Sequence, residues 1–264
     1  MEIISELGWN PRLVDPTKNR NKKPRTTTGI TMVLDKGLGI TALEDFLQTA
    51  SEHVDIIKLG FGTSALYPKE VLKQKIELIK KYQVLVMPGG TFLEVAIVQG
   101  ALKDFFHSVI DFGFDAIEVS DGTIEMSRLL RNEIIQTSFD LGLEVFTEYG
   151  KKLLGSKVDA EELLSTLTFD LEHGARMVTV EGRESGVGVG LFDEKGELEA
   201  EQFSEIMKHL PAPDKLLWEA PLKSQQLFLL QHFGQNVNLG NISPQDVMSL
   251  EALRRGLRSD TMTL

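Results

Sequence analysis

The chain has 264 residues, 42% of them hydrophobic and 25% charged, with a formal net charge of −11, a mean hydropathy of −0.07 and no cysteine. That length suffices for one large α/β barrel, the acidic balance argues against a nucleic-acid coat, and the lack of Cys excludes disulfides, thiolate nucleophiles and thiolate metal sites. No run approaches the roughly 20 apolar residues of a membrane span, and the first ten residues lack a secretory signal, which predicts a cytoplasmic protein.

Residues 1–25 read as an N-terminal extension. Its basic cluster "KNRNKKPR", Lys18 to Arg25, is short and lacks interleaved aromatics, so it reads as a solvated approach to the first strand rather than a nucleic-acid site. From there β-like runs alternate with amphipathic helical patterns. The runs are "GITMVLD" from Gly29, "DIIKLG" from Asp55, "QVLVMPGG" from Gln83, "DAIEVSDG" from Asp115, "LEVFTE" from Leu143, "RMVTVEG" from Arg176, "KLLWEAP" from Lys215 and "NVNLGN" from Asn236. Between them lie helical stretches such as "PKEVLKQKIELIKKY" and "AEELLSTLTFDLEHGA", and after the last run Ser243 and Pro244 mark a further helix start. Strands alternating with helices imply a parallel sheet. Eight such units predict a closed (β/α)8 TIM barrel, a single catalytic domain over 26–264. The dinucleotide-binding glycine fingerprint is missing after the first strand, and "GVGVG" at Gly186 to Gly190 opens no helix.

Alternation along each strand assigns faces. In "VTVEG" the valines pack under the helices and Thr179 and Glu181 point inward. The same reasoning directs Lys58, Glu118, Ser120, Glu148, Glu219 and Asn238 inward, and on the first strand Thr31, Val33 and Asp35. The upper interior is then expected to carry Asp35, Lys58, Glu118, Glu148, Glu181, Glu219 and Asn238, at the strand ends where such barrels place their active sites. Uncompensated like charges are costly to bury. One remedy is a salt-bridge network with Lys58 and Arg183; the other is a divalent cation, with Glu118, Glu148 and Glu181 as candidate ligands. The five histidines fall in helical stretches, so oxygen ligands point to Mg²⁺ or a similar hard ion and argue against zinc.

Basic residues follow the strands: Lys36, Lys151, Lys152, Arg183 and Lys223, with Arg254, Arg255 and Arg258 near the last helix. Phosphate is the fitting anion. "GNISPQD" starts a helix beside the eighth strand, and "PGGT" and "SDGT" offer Gly-rich amides. Substrate-binding candidates are therefore Lys36, Lys58, Arg183, Lys223, Asn238 and Arg255. Acids for a metal beside bases for an anion point to one chemistry: a substrate carboxylate gathers charge as an aci-carboxylate while Lys151 or Lys152 moves a proton at the adjacent carbon. Two adjacent ammonium groups, partly buried, are expected to lower each other's pKa.

The stretches "TMVLDKGLG", "IKLGFGTSA", "MPGGT", "EVSDG", "TEYGKK", "VEGRESGVGVGLFD", "EAPLKSQQ", "NLGNI" and "LEALRRGLRSDT" together resemble the phosphosulfolactate synthase family from about Thr28 to Thr261. The resemblance implies a carbon–sulfur lyase that adds sulfite to phosphoenolpyruvate with Mg²⁺, giving (2R)-phospho-3-sulfolactate, which in methanogens feeds coenzyme M synthesis. It implies that the "TEYGKK" lysine is the proton donor, Lys152 favoured over Lys151, and that the chain is a homo-oligomer, a trimer first. The alternatives are another Mg²⁺-dependent barrel lyase or isomerase of a phosphorylated carboxylic acid, and a non-catalytic stress-related homologue.

Overall fold

A computed structural model describes residues 8–153, 155–197, 200–210 and 212–262. Eight parallel strands are present: β1 Thr31–Asp35, β2 Ile56–Leu59, β3 Leu85–Pro88, β4 Ala116–Val119, β5 Glu144–Tyr149, β6 Ala175–Val180, β7 Leu216–Glu219 and β8 Leu239–Ile242. The helices are α1 Pro11–Val14, α2 Ile40–Ala50, α3 Lys69–Lys81, α4 Gly90–Val98, α5 Leu102–Phe112, α6 Arg128–Asp140, α7 Ala160–Glu172, α8 Ala200–His209, α9 Lys223–Phe233 and α10 Val247–Arg254. The ladder runs β3-β2-β1-β8-β7-β6-β5-β4. Its two ends meet where Asp115 N donates to Val86 O at 3.2 Å, so the sheet closes into a TIM barrel of one domain. Among the described residues no helix is long and apolar enough to cross a membrane.

Side chains from seven strands fill the lower interior: Ile30, Met32, Ile56, Met87, Ala116, Phe146, Met177 and Leu217 form one apolar layer. The eighth strand contributes only Gly240 there, because a Cβ would overlap Leu217 Cδ2 and Met32 Cε. Small-beside-large filling of this kind makes the barrel solid below and leaves ligand space only above. A second core, including Val33, Ile57, Val86, Ile117, Val145, Val178 and Trp218, packs between strands and helices.

The first strand's faces are the reverse of the expected ones. Met32 and Leu34 point inward, while Val33 joins the outer core and Asp35 pairs with Lys75 of α3 at 2.7 Å. Both faces of "TMVLD" are buried, so alternation carries no polarity cue, and the single Asp misleads. The basic extension is solvated only in part, at Lys18 and Lys22. Arg20 and Arg25 are buried across the barrel's amino-terminal end, paired with Glu251 at 3.1 Å and Asp55 at 2.9 Å.

Candidate active site

Above the apolar layer the inward positions turn ionic. Lys58 lies on β2, Glu118 lies on β4 with Ser120 just beyond it, Glu148 lies on β5, Glu181 follows β6 and Glu219 ends β7. All are buried, and all but Ser120 line, with Leu34, Thr91, Lys152, Arg183 and Asn241, an open cavity of about 310 Å³. Lys58 Nζ donates to Glu118 Oε1 at 2.9 Å and Glu219 Oε1 at 3.0 Å. Lys152 Nζ lies 2.7 Å from Glu148 Oε1, 3.7 Å from Glu181 Oε2 and 3.8 Å from Glu94 Oε1.

Local backbone features make this crowding possible. The Lys152 stem runs over Gly122, where a Cβ would meet its Cγ, Cδ and Cε at 3.0–3.1 Å, and Lys152 N donates to Gly122 O at 3.0 Å. Gly90 packs directly on Ser120, whose Cβ would lie 2.6 Å from a Cβ at that position. Arg183 and Asn241 hold left-handed backbone, φ 59° and 54°, a strain that persists where surrounding structure enforces it and clusters at functional sites.

The electrostatics follow from burial and the count of charges. Burial penalises the Lys152 ammonium, but Glu148, Glu181 and Glu118 outweigh that penalty and push its pKa above the ordinary lysine value. This corrects the expected lowering: a neighbouring ammonium matters less than converging carboxylates, and Lys151 points elsewhere. Burial likewise opposes Glu148, yet Lys152 and Lys58 hold it down at about 2. Glu181 goes well up, through burial and then through Glu148 and Glu219. Glu118 rises through burial, which Lys58 only partly offsets. Five carboxylates, counting Glu94, thus face two ammonium groups, buried Lys58 and half-buried Lys152.

That excess bears on a hard cation. Among the described residues no three acids or histidines converge as an all-protein metal cage. Magnesium does not need one, because it commonly takes one or two carboxylates and completes its shell with water and substrate oxygens. Glu181 Oε2 and Asn241 Oδ1 are buried without a hydrogen-bond partner, and the donors are all oxygen. The residues present therefore fit Mg²⁺.

Several sequence-predicted candidates lie elsewhere. Asn238 precedes β8 at the amino-terminal end, where its amide donates to Thr27 O, Asp214 O and Leu216 O; the β8 residue at the mouth is Asn241. Arg255 is at the floor beside Glu251 at 2.7 Å, Lys223 pairs with Asp260 on the surface, and exposed Lys36 does not line the cavity. Lys151 donates to Asp121 O and Ile124 O and borders a separate cavity of about 260 Å³ with Arg128, Arg131 and Glu162. The amides of "PGGT" and "SDGT" hold side chains rather than standing open: Gly90 N donates to Glu118 Oε2 at 2.9 Å and Thr123 N to Glu94 Oε2 at 3.1 Å. Glu94 and Asn241 escaped the sequence reading. A lone carboxylate inside the otherwise apolar helix "GTFLEVAIV" was the available signal for Glu94.

A TIM barrel whose mouth holds buried glutamates beside a charged lysine has the layout of an acid–base enzyme. Comparison with known proteins narrows this. Residues 18–260 match the model of the family "(2R)-phospho-3-sulfolactate synthase (ComA)". The phosphosulfolactate synthase of Methanocaldococcus jannaschii is 41% identical over 88% of this chain and 93% of that protein. Its counterpart from Methanothermobacter thermautotrophicus is 38% identical over 93% and 95%. The chain belongs to the phosphosulfolactate synthase family of enzymes. Among solved structures, the YdjI aldolase from Escherichia coli K12 shares the fold, with a TM-score of 0.57 at 14% identity over 84% of this chain and 78% of that one.

Proposed function

We propose that this chain is a lyase that adds sulfite to phosphoenolpyruvate, giving (2R)-phospho-3-sulfolactate. The observation that carries the reading is Lys152, an ammonium group kept charged by Glu148 at 2.7 Å, at the mouth of a cavity walled by carboxylates. Sulfite sulfur bonds to the methylene carbon, and the π pair passes to the carbon bearing phosphate and into the substrate carboxylate. Lys152 delivers its proton to that carbon, which retains its phosphate. At working pH Lys152 therefore stands in the protonated form that an acid requires.

Mg²⁺, when bound, would neutralise charge gathering on the substrate carboxylate. Glu181 is the leading candidate to hold it, through its unpartnered Oε2, with Glu148 and Glu118 beside it. Without such a cation the mouth repels a trianionic substrate, because Lys58 is already spent on Glu118 and Glu219. Arg183, exposed at the rim, is the cation best placed for the phosphate. The test is incubation of the purified chain with phosphoenolpyruvate and Mg²⁺, with and without sulfite. A product heavier by one sulfonate group, formed only with sulfite, is expected; turnover only without sulfite, or no turnover, rejects the reading.

A further inference from the structure

The β4–β5 ladder ends at Val119 and Thr147, and the chain segments beyond it are held together by other means. Lys152 N donates to Gly122 O at 3.0 Å, and Lys151 Nζ donates to Asp121 O and to Ile124 O, both at 2.9 Å. The Lys151 ammonium thus grips the segment between β4 and α6 on either side of Gly122. That glycine is the seat of the Lys152 stem, where a Cβ would meet Cγ, Cδ and Cε at 3.0–3.1 Å. Arg131 holds the same segment from behind: its Nη1 donates to Asp121 Oδ1 at 3.2 Å and its Nη2 to Glu148 O at 3.0 Å. The other neighbours of Lys151 Nζ are Glu125 Oε1 at 3.5 Å and Asp121 Oδ2 at 3.9 Å. Lys151 borders the cavity of about 260 Å³ and not the one that Lys152 lines.

We propose that Lys151 is a positioning residue: its ammonium clamps the segment after β4 to the segment after β5 and so fixes the Gly122 seat on which Lys152 rests. A reacting group displaced by about 1 Å can lose about a hundredfold in rate, so a clamp that acts through Lys152 is read in kcat. A surface cation that merely draws anions toward the mouth is read in KM instead, and its effect fades with added salt. The Lys151 side chain is 39% exposed, and Asp121 keeps Arg131 as a partner without it, so substitution there strands no buried charge. The inference rests on the proposed reaction for its kinetic readout, so the experiment carries a second readout that does not.

The full chain is compared as wild type, Lys151→Met and Lys151→Arg. Methionine keeps an unbranched side chain but donates no hydrogen bond. Arginine keeps donors for two carbonyls and cannot release a proton at working pH. Lys151→Met should lower kcat by about 10- to 100-fold, with KM for phosphoenolpyruvate within about threefold of wild type. Lys151→Arg should restore kcat to within about fivefold of wild type. The second readout is amide hydrogen exchange of the substrate-free chain at Gly122, Thr123 and Lys152. Those amides are bonded to Ser120 Oγ, Glu94 Oε2 and Gly122 O. Their exchange should quicken about tenfold in Lys151→Met and stay near wild type in Lys151→Arg. An inactive Lys151→Arg whose exchange matches wild type overturns the proposal, because a proton carrier is then what was lost. So does exchange unchanged in Lys151→Met, or a loss confined to KM. A wild type that makes no product rejects the proposed reaction instead, and the exchange rates still decide the clamp. Should Lys151→Met not fold, Lys151→Ala is read by the same two measurements.

Discussion

At the floor of the barrel Arg20, Arg25 and Arg254 are as buried as the glutamates of the mouth, yet the two ends dispose of their charge differently. Arg25 pairs with Asp55 and donates to Glu52 O, just beyond α2. Arg254 donates to Gln235 O and Val237 O, just beyond α9, and to Ile30 O. Helix carboxyl ends point carbonyls at the floor, and such ends favour cations. Helix amino ends face the mouth, where Gly90 N at the start of α4 holds Glu118, and such ends favour anions. The floor disperses its cations largely onto backbone that cannot leave. The mouth shares an excess of carboxylates between two lysines and leaves Glu181 Oε2 without a hydrogen-bond partner. The first arrangement serves stability; the second waits for ligands.

Variants at each end should break this contrast cleanly. Lys152→Ala should lower turnover of the folded fraction by about a thousandfold and also lower the thermal midpoint, because it strands buried Glu148; unimpaired turnover would move the acid role to another residue. Arg25→Met strands buried Asp55 and should reduce unfolding stability by about 3–5 kcal/mol in urea titration, with kcat of the folded fraction retained. A stability loss confined to a few tenths of this would mean the floor pairing is dispensable.

The pH response sharpens the comparison further. Glu118 and Glu181 have raised pKa values, so the folded state binds more protons than the unfolded one above the ordinary value of 4.5. Stability of the metal-free protein should therefore fall as pH rises through that window. Glu148 works the other way: its contribution is present above 4.5 and is lost as pH drops toward about 2. If Mg²⁺ is held there as proposed, it would displace the retained protons, and its apparent affinity should climb by up to about tenfold per pH unit for each proton released. Thermal midpoints recorded with and without Mg²⁺ at successive pH values above 4.5 check this. A magnesium effect that is absent at every pH would remove the metal from the site. Smallest of all, Lys223→Ala should leave kcat/KM within about twofold, since an exposed ion pair contributes little; a larger drop in kcat/KM would bring Lys223 back to the substrate.

The eight-unit barrel was legible because period-two strands alternate with helical stretches through the whole chain. Lys58, Glu118, Glu148, Glu181 and Glu219 were legible because each lies in or beside a strand whose intervening residues are apolar. Alternation failed for Asp35, where both faces are buried, and for Asn238, because β8 begins one residue later and its inward position is a glycine.

What the amino-acid order determined alone is thus the periodic part: which strands exist and which side chains share a face, since both follow from local backbone geometry. Tertiary structure decided how high on the barrel each residue sits and which elements meet. It directed Lys152 into the cavity and Lys151 out of it, brought Glu94 from a neighbouring helix against Ser120, and drew the basic extension beneath the floor. Those are distances between chain segments far apart in sequence, and no local pattern encodes them.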